Sequence, residues 1–333
     1  MRTRREFVRG AALAGGAGLF GLGPRAAAAD PPPETPRLRL LRTPSLCEAP
    51  VQVASALLQS EGFADVEYVR VNNSVEADQA LATGKVDVGQ TTAYASVARI
   101  EAGDPRVLLA GVHVGCFELF GTGRVRTIKE LKGKSVAIPA LGDSRHLLVA
   151  SMAAYVGLDP GKDINWVIRR GAEAMQALAE GTIDAFIGFP PEPQELRRKK
   201  IGRVIVNTTT DRPWSQYFCC MVTANREFVR RHPVAAKRAT RAILKAGDVC
   251  AIEPEQTARL MTDRAYTNDL ELAVQTIREI PYGKWRELDP ENTVRFFALR
   301  LREAGMIKSA PQQIIAQGTD WRFLNELKKE LKG

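Results

Sequence analysis

The chain carries the stretch Gln79-Ala80-Leu81-Ala82-Thr83-Gly84-Lys85-Val86-Asp87, and a near copy follows as Gln176-Ala177-Leu178-Ala179-Glu180-Gly181-Thr182-Ile183-Asp184. Upstream, Val53-Ala54-Ser55 matches Val149-Ala150-Ser151 in nearly the same register. Two matches in one register indicate an internal duplication, so the chain is expected to contain two similar structural units.

Each copy has the same order of predicted elements. A strand is predicted at 38–41 and at 135–138, followed by helices at 49–59 and 144–156, second strands at 66–71 and 164–168, the helix that carries the repeated motif, and a third strand. This order is typical of a doubly wound α/β unit. The sequence therefore predicts an α/β protein with two doubly wound lobes and a ligand cleft between their facing strand ends.

The lobe boundaries follow from the expected crossings. A flexible crossing is predicted at Gly121-Thr122-Gly123, and the apolar run 217–222 would carry the chain back. We therefore expect residues 30–121 to begin the first lobe, 122–213 to form the second, and 214–333 to complete the first with a return strand and C-terminal helices.

The first 29 residues have the features of an export signal. Thr3-Arg4-Arg5-Glu6-Phe7-Val8-Arg9 resembles the twin-arginine signal, and residues 10–22 are apolar but too short and Gly-rich to span a membrane. The formal net charge is +9; removal of residues 1–29, with five Arg and one Glu, leaves +5. The sequence therefore predicts export to a bacterial periplasm, and the remaining charge does not favour a nucleic-acid partner.

Four motifs in the second half of the duplication carry a family resemblance. They are Leu131-Lys132-Gly133-Lys134-Ser135-Val136-Ala137-Ile138-Pro139, Gly157-Leu158-Asp159-Pro160, Ala179-Glu180-Gly181-Thr182-Ile183-Asp184-Ala185 and Phe189-Pro190-Pro191-Glu192-Pro193. The chain resembles the substrate-binding proteins of nitrate/sulfonate/taurine-type ABC transporters. The resemblance implies the type II periplasmic-binding fold and a monomer that captures a sulfonate, nitrate or heterocycle by lobe closure. It would deliver that solute to a permease and ATPase, without a cofactor and without being an enzyme.

Two other functions stay open. Thiamine-pyrimidine synthases are similar in architecture, and their cysteine-rich signature is matched in part at Phe218-Cys219-Cys220-Met221. A periplasmic sensor that passes its liganded state to a receptor is the third possibility. The sequence shows no nucleophile–base pair, no GxSxG elbow and no P-loop.

The loops that follow the predicted strands supply the candidate ligand-binding residues. A helix N-terminus after such a loop can hold an acidic or polar group, although Asp143 or Ser144, and Thr91 or Thr92, can equally serve as helix caps. Phe189 can alternatively pack in a core, and Trp214 under the hinge. The candidates are Cys47, Glu48, Gln90, Thr91, Thr92, Glu118, Asp143, Ser144, Arg145, Phe189, Glu192 and Trp214.

The cysteines show no metal-binding pattern in the sequence. Cys47, Cys116, Cys219, Cys220 and Cys250 contain no CxxC pair, so neither a disulfide framework nor a zinc ribbon is indicated. His113, Cys116 and Glu118 alternate imperfectly along one predicted strand, where at most two can point the same way. We therefore expect no metal site, with Cys219 and Cys220 as small core residues.

Overall fold

Two five-stranded sheets organise the protein. The structure is a computed structural model that describes residues 30–331, so the expected export signal at 1–29 lies outside the described residues. The strands are β1 (Arg37–Arg42), β2 (Asp65–Arg70), β3 (Val88–Thr92), β4 (Arg106–Val114), β5 (Glu118–Gly121), β6 (Lys134–Ile138), β7 (Ile164–Ile168), β8 (Ala185–Gly188), β9 (Arg203–Asn207) and β10 (Phe218–Asn225).

The sheets have equivalent strand orders. The first sheet runs β2-β1-β3-β10-β4 and the second β7-β6-β8-β5-β9. In each, three strands pair in parallel while one strand, β10 or β5, is antiparallel to both of its neighbours. The two-lobed α/β architecture expected from the duplication is confirmed. The sheets are mixed rather than wholly parallel, because each lobe takes its antiparallel strand from beyond a chain crossing.

Fourteen helices are formed in the described part of the chain, and four of them begin with proline at the first helical position, where the missing N–H costs no hydrogen bond. The helices are α1 (Ala49–Val53), α2 (Ser55–Ser60), α3 (Ser74–Ala82), α4 (Ala93–Glu101), α5 (Ser144–Tyr155), α6 (Gly171–Ala179), α7 (Glu192–Arg198), α8 (Arg226–Arg231), α9 (Pro233–Ile252), α10 (Pro254–Asp263), α11 (Leu270–Glu279), α12 (Pro290–Glu303), α13 (Pro311–Gly318) and α14 (Arg322–Glu330). Among the described residues, no helix combines the length and apolar character needed to cross a bilayer.

The repeated motif makes the same hydrogen bonds in both lobes. In the first lobe, Asp87 Oδ2 accepts the Arg39 backbone N–H at 2.8 Å, and the Asp87 N–H donates to the Arg39 carbonyl at 2.9 Å. In the second lobe, Asp184 Oδ2 accepts the Ser135 N–H at 2.9 Å, and the Asp184 N–H donates to the Ser135 carbonyl at 3.0 Å. Each aspartate therefore joins the start of the third strand of its unit to the start of the first.

The glycine before each of these aspartates ends a helix. Gly84 follows α3 with a φ of +67°, and Gly181 follows α6 with a φ of +70°. A side chain is disfavoured in this left-handed region, which explains why both copies of the motif carry glycine there.

The chain crosses between the lobes at two adjacent segments. The Thr208 N–H donates to the Phe117 carbonyl at 3.0 Å, the Phe117 N–H donates to Thr208 Oγ1 at 3.0 Å, and the Cys116 N–H donates to Thr209 Oγ1 at 3.1 Å. Because β5 belongs to the second sheet, the first crossing lies at 115–117, upstream of the expected 121–123. The sequence does not indicate this crossing, because it lies inside the apolar run 106–120. It stays a prediction that the chain forms two separately moving lobes, the first from residues 30–121 and 214–333 and the second from residues 122–213.

The hydrogen bonds of Asp184 lead to a prediction about stability and pH. Burial raises the pKa of Asp184, but hydrogen bonds from Ser135 and Arg124 outweigh burial and hold it below the ordinary value. These bonds therefore contribute fully above about pH 4, the usual aspartate pKa, and their contribution is lost as pH falls through the lower folded-state pKa. We expect Asp184→Asn to lower the free energy of unfolding by roughly 1–3 kcal/mol at pH 7.

Urea unfolding of both proteins at neutral and acidic pH measures this difference. The gap between wild type and Asp184→Asn should shrink below about pH 4. The exposed Asp65, whose side chain is 65% exposed, supplies the control variant Asp65→Asn, which should change stability little. A gap that stays constant with pH would contradict the assigned role of the carboxylate.

The tight approach of the two crossings requires glycine at 115. Gly115 has a φ of +62°, and a Cβ there would overlap the Thr209 backbone of the second crossing. We expect Gly115→Ala to lower the free energy of unfolding by roughly 2–4 kcal/mol through strain and overpacking. Gly123→Ala is the matched control, since nothing lies within 4 Å of its added Cβ. Equal effects of the two substitutions in thermal or urea unfolding would refute this account.

Candidate functional site

A cleft lies where the carboxyl ends of the strands of the two sheets face each other. Ser74, which follows β2, donates its hydroxyl to Asp143 Oδ2, which follows β6, at 2.5 Å. A second contact joins α7 of the second lobe to the C-terminal helical region, where Arg198 Nη1 donates to Asp269 Oδ2 at 2.6 Å. The lobes therefore touch through two separate contacts.

The second-lobe wall of the cleft is built from Arg145, Phe189 and Glu192. The Arg145 guanidinium lies 3.2 Å and 3.0 Å from the two carboxylate oxygens of Glu192 and 4.7 Å from the centre of the Phe189 ring. The Phe189 N–H donates to Glu192 Oε2 at 3.1 Å. Phe117, from the first crossing, stacks on Phe189 with ring centres 5.9 Å apart. The structure therefore brings these three candidates together. Phe189 and Phe117 form what we call the aromatic wall, and the Glu192 carboxylate compensates the positive charge of Arg145.

The two residues before Arg145 serve in part as a helix cap. Asp143 is the N-cap of α5 and accepts the Arg145 N–H at 2.9 Å, in addition to its contact with Ser74. Ser144 is the first residue of α5 and is half-buried. Capping, one of the two roles expected for this pair, is therefore present, and Asp143 also connects the lobes.

In the first lobe, the candidate trio 90–92 lies at the end of β3, with Gln90 buried and both threonines half-buried. Gln90 Nε2 donates to the Cys47 carbonyl at 2.9 Å and lies 3.3 Å from His113 Nε2. The Thr91 hydroxyl lies within hydrogen-bonding distance of the Ser96 and Thr223 hydroxyls. Thr92 is the N-cap of α4, although its side chain makes no capping bond.

The two candidate glutamates are buried in different ways. Glu48 Oε2 accepts the Thr43 N–H at 3.2 Å, and burial raises the pKa of this carboxyl well above its ordinary value. Burial also raises the pKa of Glu118, opposed by the Arg197 guanidinium that pairs with it. Glu118 is thus committed to an internal ion pair.

Trp214 packs between the lobes. Its ring meets Tyr155 edge-on at 5.6 Å and Phe296 at 5.7 Å. It also borders a cavity of about 10 Å³, the size of one water molecule, beside the first crossing at Gly115. The alternative expectation for Trp214, packing under the hinge, is what the structure shows.

A cluster of thiols and one imidazole lies on the cleft floor. The ligand atoms of Cys47, His113 and Cys116 all lie within 4.8 Å of one another, and the three residues are buried. Cys219 Sγ lies 3.6 Å from Cys116 Sγ and 3.9 Å from Cys220 Sγ. We call these five residues the thiol–imidazole cluster.

No sequence pattern predicts this cluster, because its members come from separate segments. The alternation assumed for His113 and Cys116 fails because β4 ends at Val114 and Cys116 has a φ of +99°, which redirects its side chain. Cys219 and Cys220 are buried in the hydrophobic core, as expected, and Cys219 also contacts the Cys116 thiol. The vicinal cysteine pair was the only local signal.

Electrostatic interactions inside the cluster shift its titration. Burial lowers the pKa of His113, but interaction with the Cys220 and Cys47 thiols raises it to about 10. A hydrogen bond with Cys116 lowers the pKa of Cys220 to about 7. Burial raises the pKa of Cys116 well above the ordinary value. The thiols and the His113 ring therefore influence one another's protonation.

A larger cavity, of about 370 Å³, opens elsewhere. Its lining includes Arg39 at the start of β1, Asp87 before β3 and Asn225 at the end of the antiparallel β10. These positions mark the amino edge of the parallel strands, opposite the cleft. The cavity is therefore separate from the candidate site.

Comparison with known proteins identifies the relatives of this chain. Residues 31–263 match the NMT1-like family. A curated relative, 4-amino-5-hydroxymethyl-2-methylpyrimidine phosphate synthase of Saccharomyces cerevisiae, is 25% identical over 224 residues, which span 62% of this chain and 65% of the yeast protein. Because this relative is named as an enzyme, the expectation that the chain is not an enzyme is contradicted.

Solved structures share the fold. The periplasmic nitrate-binding protein NrtA from Synechocystis superposes with a TM-score of 0.75 at 15% identity, covering 90% of both chains. The alkanesulfonate-binding protein SsuA from Xanthomonas axonopodis superposes with a TM-score of 0.69 at 17% identity, covering 86% of this chain and 99% of that one. These likenesses confirm the periplasmic-binding-protein fold.

Proposed function

The chain belongs to the NMT1-like family, and from this premise we propose that it is the solute-binding component of an ABC importer. The observation that carries the proposal is the cleft between the lobes, bordered by the contact of Ser74 with Asp143 and spanned by two crossings within residues 30–331. A solute that binds the closed form more tightly than the open form drives closure by hinge motion about such crossings.

The cleft favours an uncharged, flat organic solute. The charge of Arg145 is compensated by Glu192, and burial raises the pKa of Glu48 well above its ordinary value, which disfavours the charged form of that carboxyl. An anion such as nitrate or a sulfonate would find no uncompensated cation among these residues. The half-buried Phe189 ring, supported by the buried ring of Phe117, offers an aromatic contact for a heterocycle. We therefore propose that the solute is a heterocycle rather than nitrate or a sulfonate.

The proposed location and partners follow from the same function. The fold neighbours are named as periplasmic binding proteins, and the motif that includes Arg4 and Arg5 resembles a twin-arginine export signal. We therefore propose a periplasmic monomer that delivers its solute to a permease driven by an ATPase.

A second candidate function is an enzyme related to the pyrimidine phosphate synthases. It is favoured by the curated relatives and by the partial match of the cysteine signature at residues 218–221. The chain spans 65% of the yeast relative's length, and the match is 25% identical. Formation of a pyrimidine product by the purified protein would support this candidate over pure binding.

Ligand screening tests the proposed solute class. We expect pyrimidines or other flat heterocycles to raise the melting temperature, and nitrate and alkyl sulfonates to leave it unchanged. Phe189→Ala should weaken binding of the heterocycle about 2–10-fold, the value of an aromatic contact, in isothermal titration. Ile252→Ala is the control, because Ile252 is 77% exposed on the end of α9. Tight binding of nitrate or a sulfonate alone would overturn the solute class.

The contact between α7 and α11 tests the role of closure. Glu279 accepts from Arg197 Nη2 at 2.7 Å and from Gln194 Nε2 at 2.9 Å, so it joins the second lobe to the C-terminal helices. Glu279→Gln should raise the dissociation constant of the bound solute about 2–5-fold, because an exposed ion pair contributes less than about 1 kcal/mol to the closed form.

The control for closure is Glu255→Gln. Glu255 pairs with Arg278 between α10 and α11, so this ion pair does not connect the lobes. Solute affinity should be unchanged in Glu255→Gln, as measured by titration calorimetry. Equal affinity of Glu279→Gln and the wild type would argue against lobe closure as the source of binding energy.

A further inference from the structure

The thiol–imidazole cluster has the spacing of a metal site. In a tetrahedral zinc site with metal–sulfur bonds of about 2.3 Å and metal–nitrogen bonds of about 2.0 Å, ligand atoms lie roughly 3.5–3.8 Å apart. The ligand atoms of Cys47, His113 and Cys116 are within 4.8 Å of one another, and Cys219 Sγ is 3.6 Å from Cys116 Sγ. Side-chain adjustments of about one ångström therefore bring the first three onto a common ion.

The His113 ring is oriented as metal-binding histidines are. Its Nδ1 lies 3.2 Å from the carbonyl oxygen of Val114, to which an Nδ1–H donates. Nε2 then carries the lone pair, on the side where Gln90 lies 3.3 Å away. A backbone carbonyl that fixes the tautomer in this way is the usual outer partner of a ligating histidine.

Gln90 supplies a second, independent observation. Its side chain is 1% exposed, and its Oε1 has no hydrogen-bond partner within the described residues although it is buried beside His113. An unpartnered buried amide oxygen costs about 1–3 kcal/mol. A bound ion with a coordinated water or a protonated thiol beside it would remove that cost.

The ligand types define the class of ion. Thiolates and imidazole select soft or borderline ions such as Zn²⁺ and Cu⁺ over Mg²⁺ or Ca²⁺, which prefer oxygen. Two thiolates with a neutral imidazole compensate the charge of a divalent ion inside a fully buried site. Binding of Zn²⁺ in this form releases to solvent every proton that the two thiols and the Nε2 atom of His113 carry before the ion binds.

We propose that Cys47, His113 and Cys116 bind one thiophilic metal ion on the floor of the cleft. The fourth position of a tetrahedral site is then open to a water molecule or another ligand, as in sites with three protein ligands. The strand is irregular at Cys220, where its pairing register with β4 shifts, and this brings both vicinal thiols to the cluster.

An ion at this position would tie the hinge to the cleft. Cys116 lies in the first crossing, His113 near the end of β4, and Cys47 in the segment that follows β1. The ion would hold these segments together from one side of the cleft floor. Metal binding at this site requires no solute, so its test is independent of the proposed transport function.

Cobalt substitution tests the proposal on the full chain. Reduced, metal-free protein is titrated with Co²⁺, which reports thiolate ligands by a charge-transfer band and tetrahedral geometry by its visible bands; Zn²⁺ then displaces it. We expect one equivalent of Co²⁺ per chain. Cys47→Ser, Cys116→Ser and His113→Ala should each weaken Zn²⁺ at least about 100-fold in competition with a chromophoric chelator, more than loss of an outer partner would.

Two matched variants serve as controls. Cys250→Ser removes a cysteine that is equally buried but lies outside the cluster, and Cys219→Ser removes a thiol of the cluster that is not one of the three proposed ligands. Both should keep the charge-transfer band and the stoichiometry. Circular dichroism of each metal-free variant establishes that it is folded, and a parallel titration with Cu⁺ under reducing conditions distinguishes the two ions.

The wild-type titration decides the matter even if a variant does not fold. Absence of a thiolate charge-transfer band, or binding of less than one equivalent of both Zn²⁺ and Cu⁺, would overturn the proposal. Equal loss of metal affinity in Cys250→Ser would overturn the ligand assignment. If Phe189→Ala binds metal with the same affinity as the wild type, the metal site is separate from the proposed solute site.

Discussion

The hydrogen-bonded pair of crossings is the constraint on which the rest of this protein depends. Phe117 and Thr208 exchange backbone and side-chain hydrogen bonds, and Gly115 allows the second crossing to approach because it has no side chain. Each crossing delivers a strand that is antiparallel to its neighbours, β5 to the second sheet and β10 to the first. Neither sheet is complete without the chain that comes from the other lobe.

The same constraint builds the candidate site. Phe117 is carried by the first crossing to the Phe189 ring in the second lobe, while Cys116, one residue earlier, reaches the cysteines of β10 and the loop after β1. The aromatic wall and the thiol–imidazole cluster are thus adjacent because consecutive residues of one crossing belong to them. Solute capture and metal binding, as proposed, would act on the same hinge.

The duplication explains why the two lobes share one architecture, although the residues that each lobe presents to the cleft differ. The motif that ends in Asp87 and Asp184 joins the first and third strands of each unit through the same carboxylate contacts. That contact lies at the amino edge of each sheet, where sequence is repeated. The carboxyl edge differs between the copies: the first lobe presents Cys47 and Gln90, and the second presents Arg145 and Glu192. Structural and binding residues therefore lie at opposite edges.

By itself, the sequence determined the duplication, the α/β class, the order of most strands and helices, and the family resemblance. These follow from local features: apolar periodicity, glycines after helices and prolines at helix starts. Only the tertiary structure decided the antiparallel strands, the position of the first crossing, the pairing of Arg145 with Glu192, and the gathering of Cys47, His113 and Cys116. The physical reason is that contacts between distant segments depend on how sheets and crossings pack, and no local pattern records those distances.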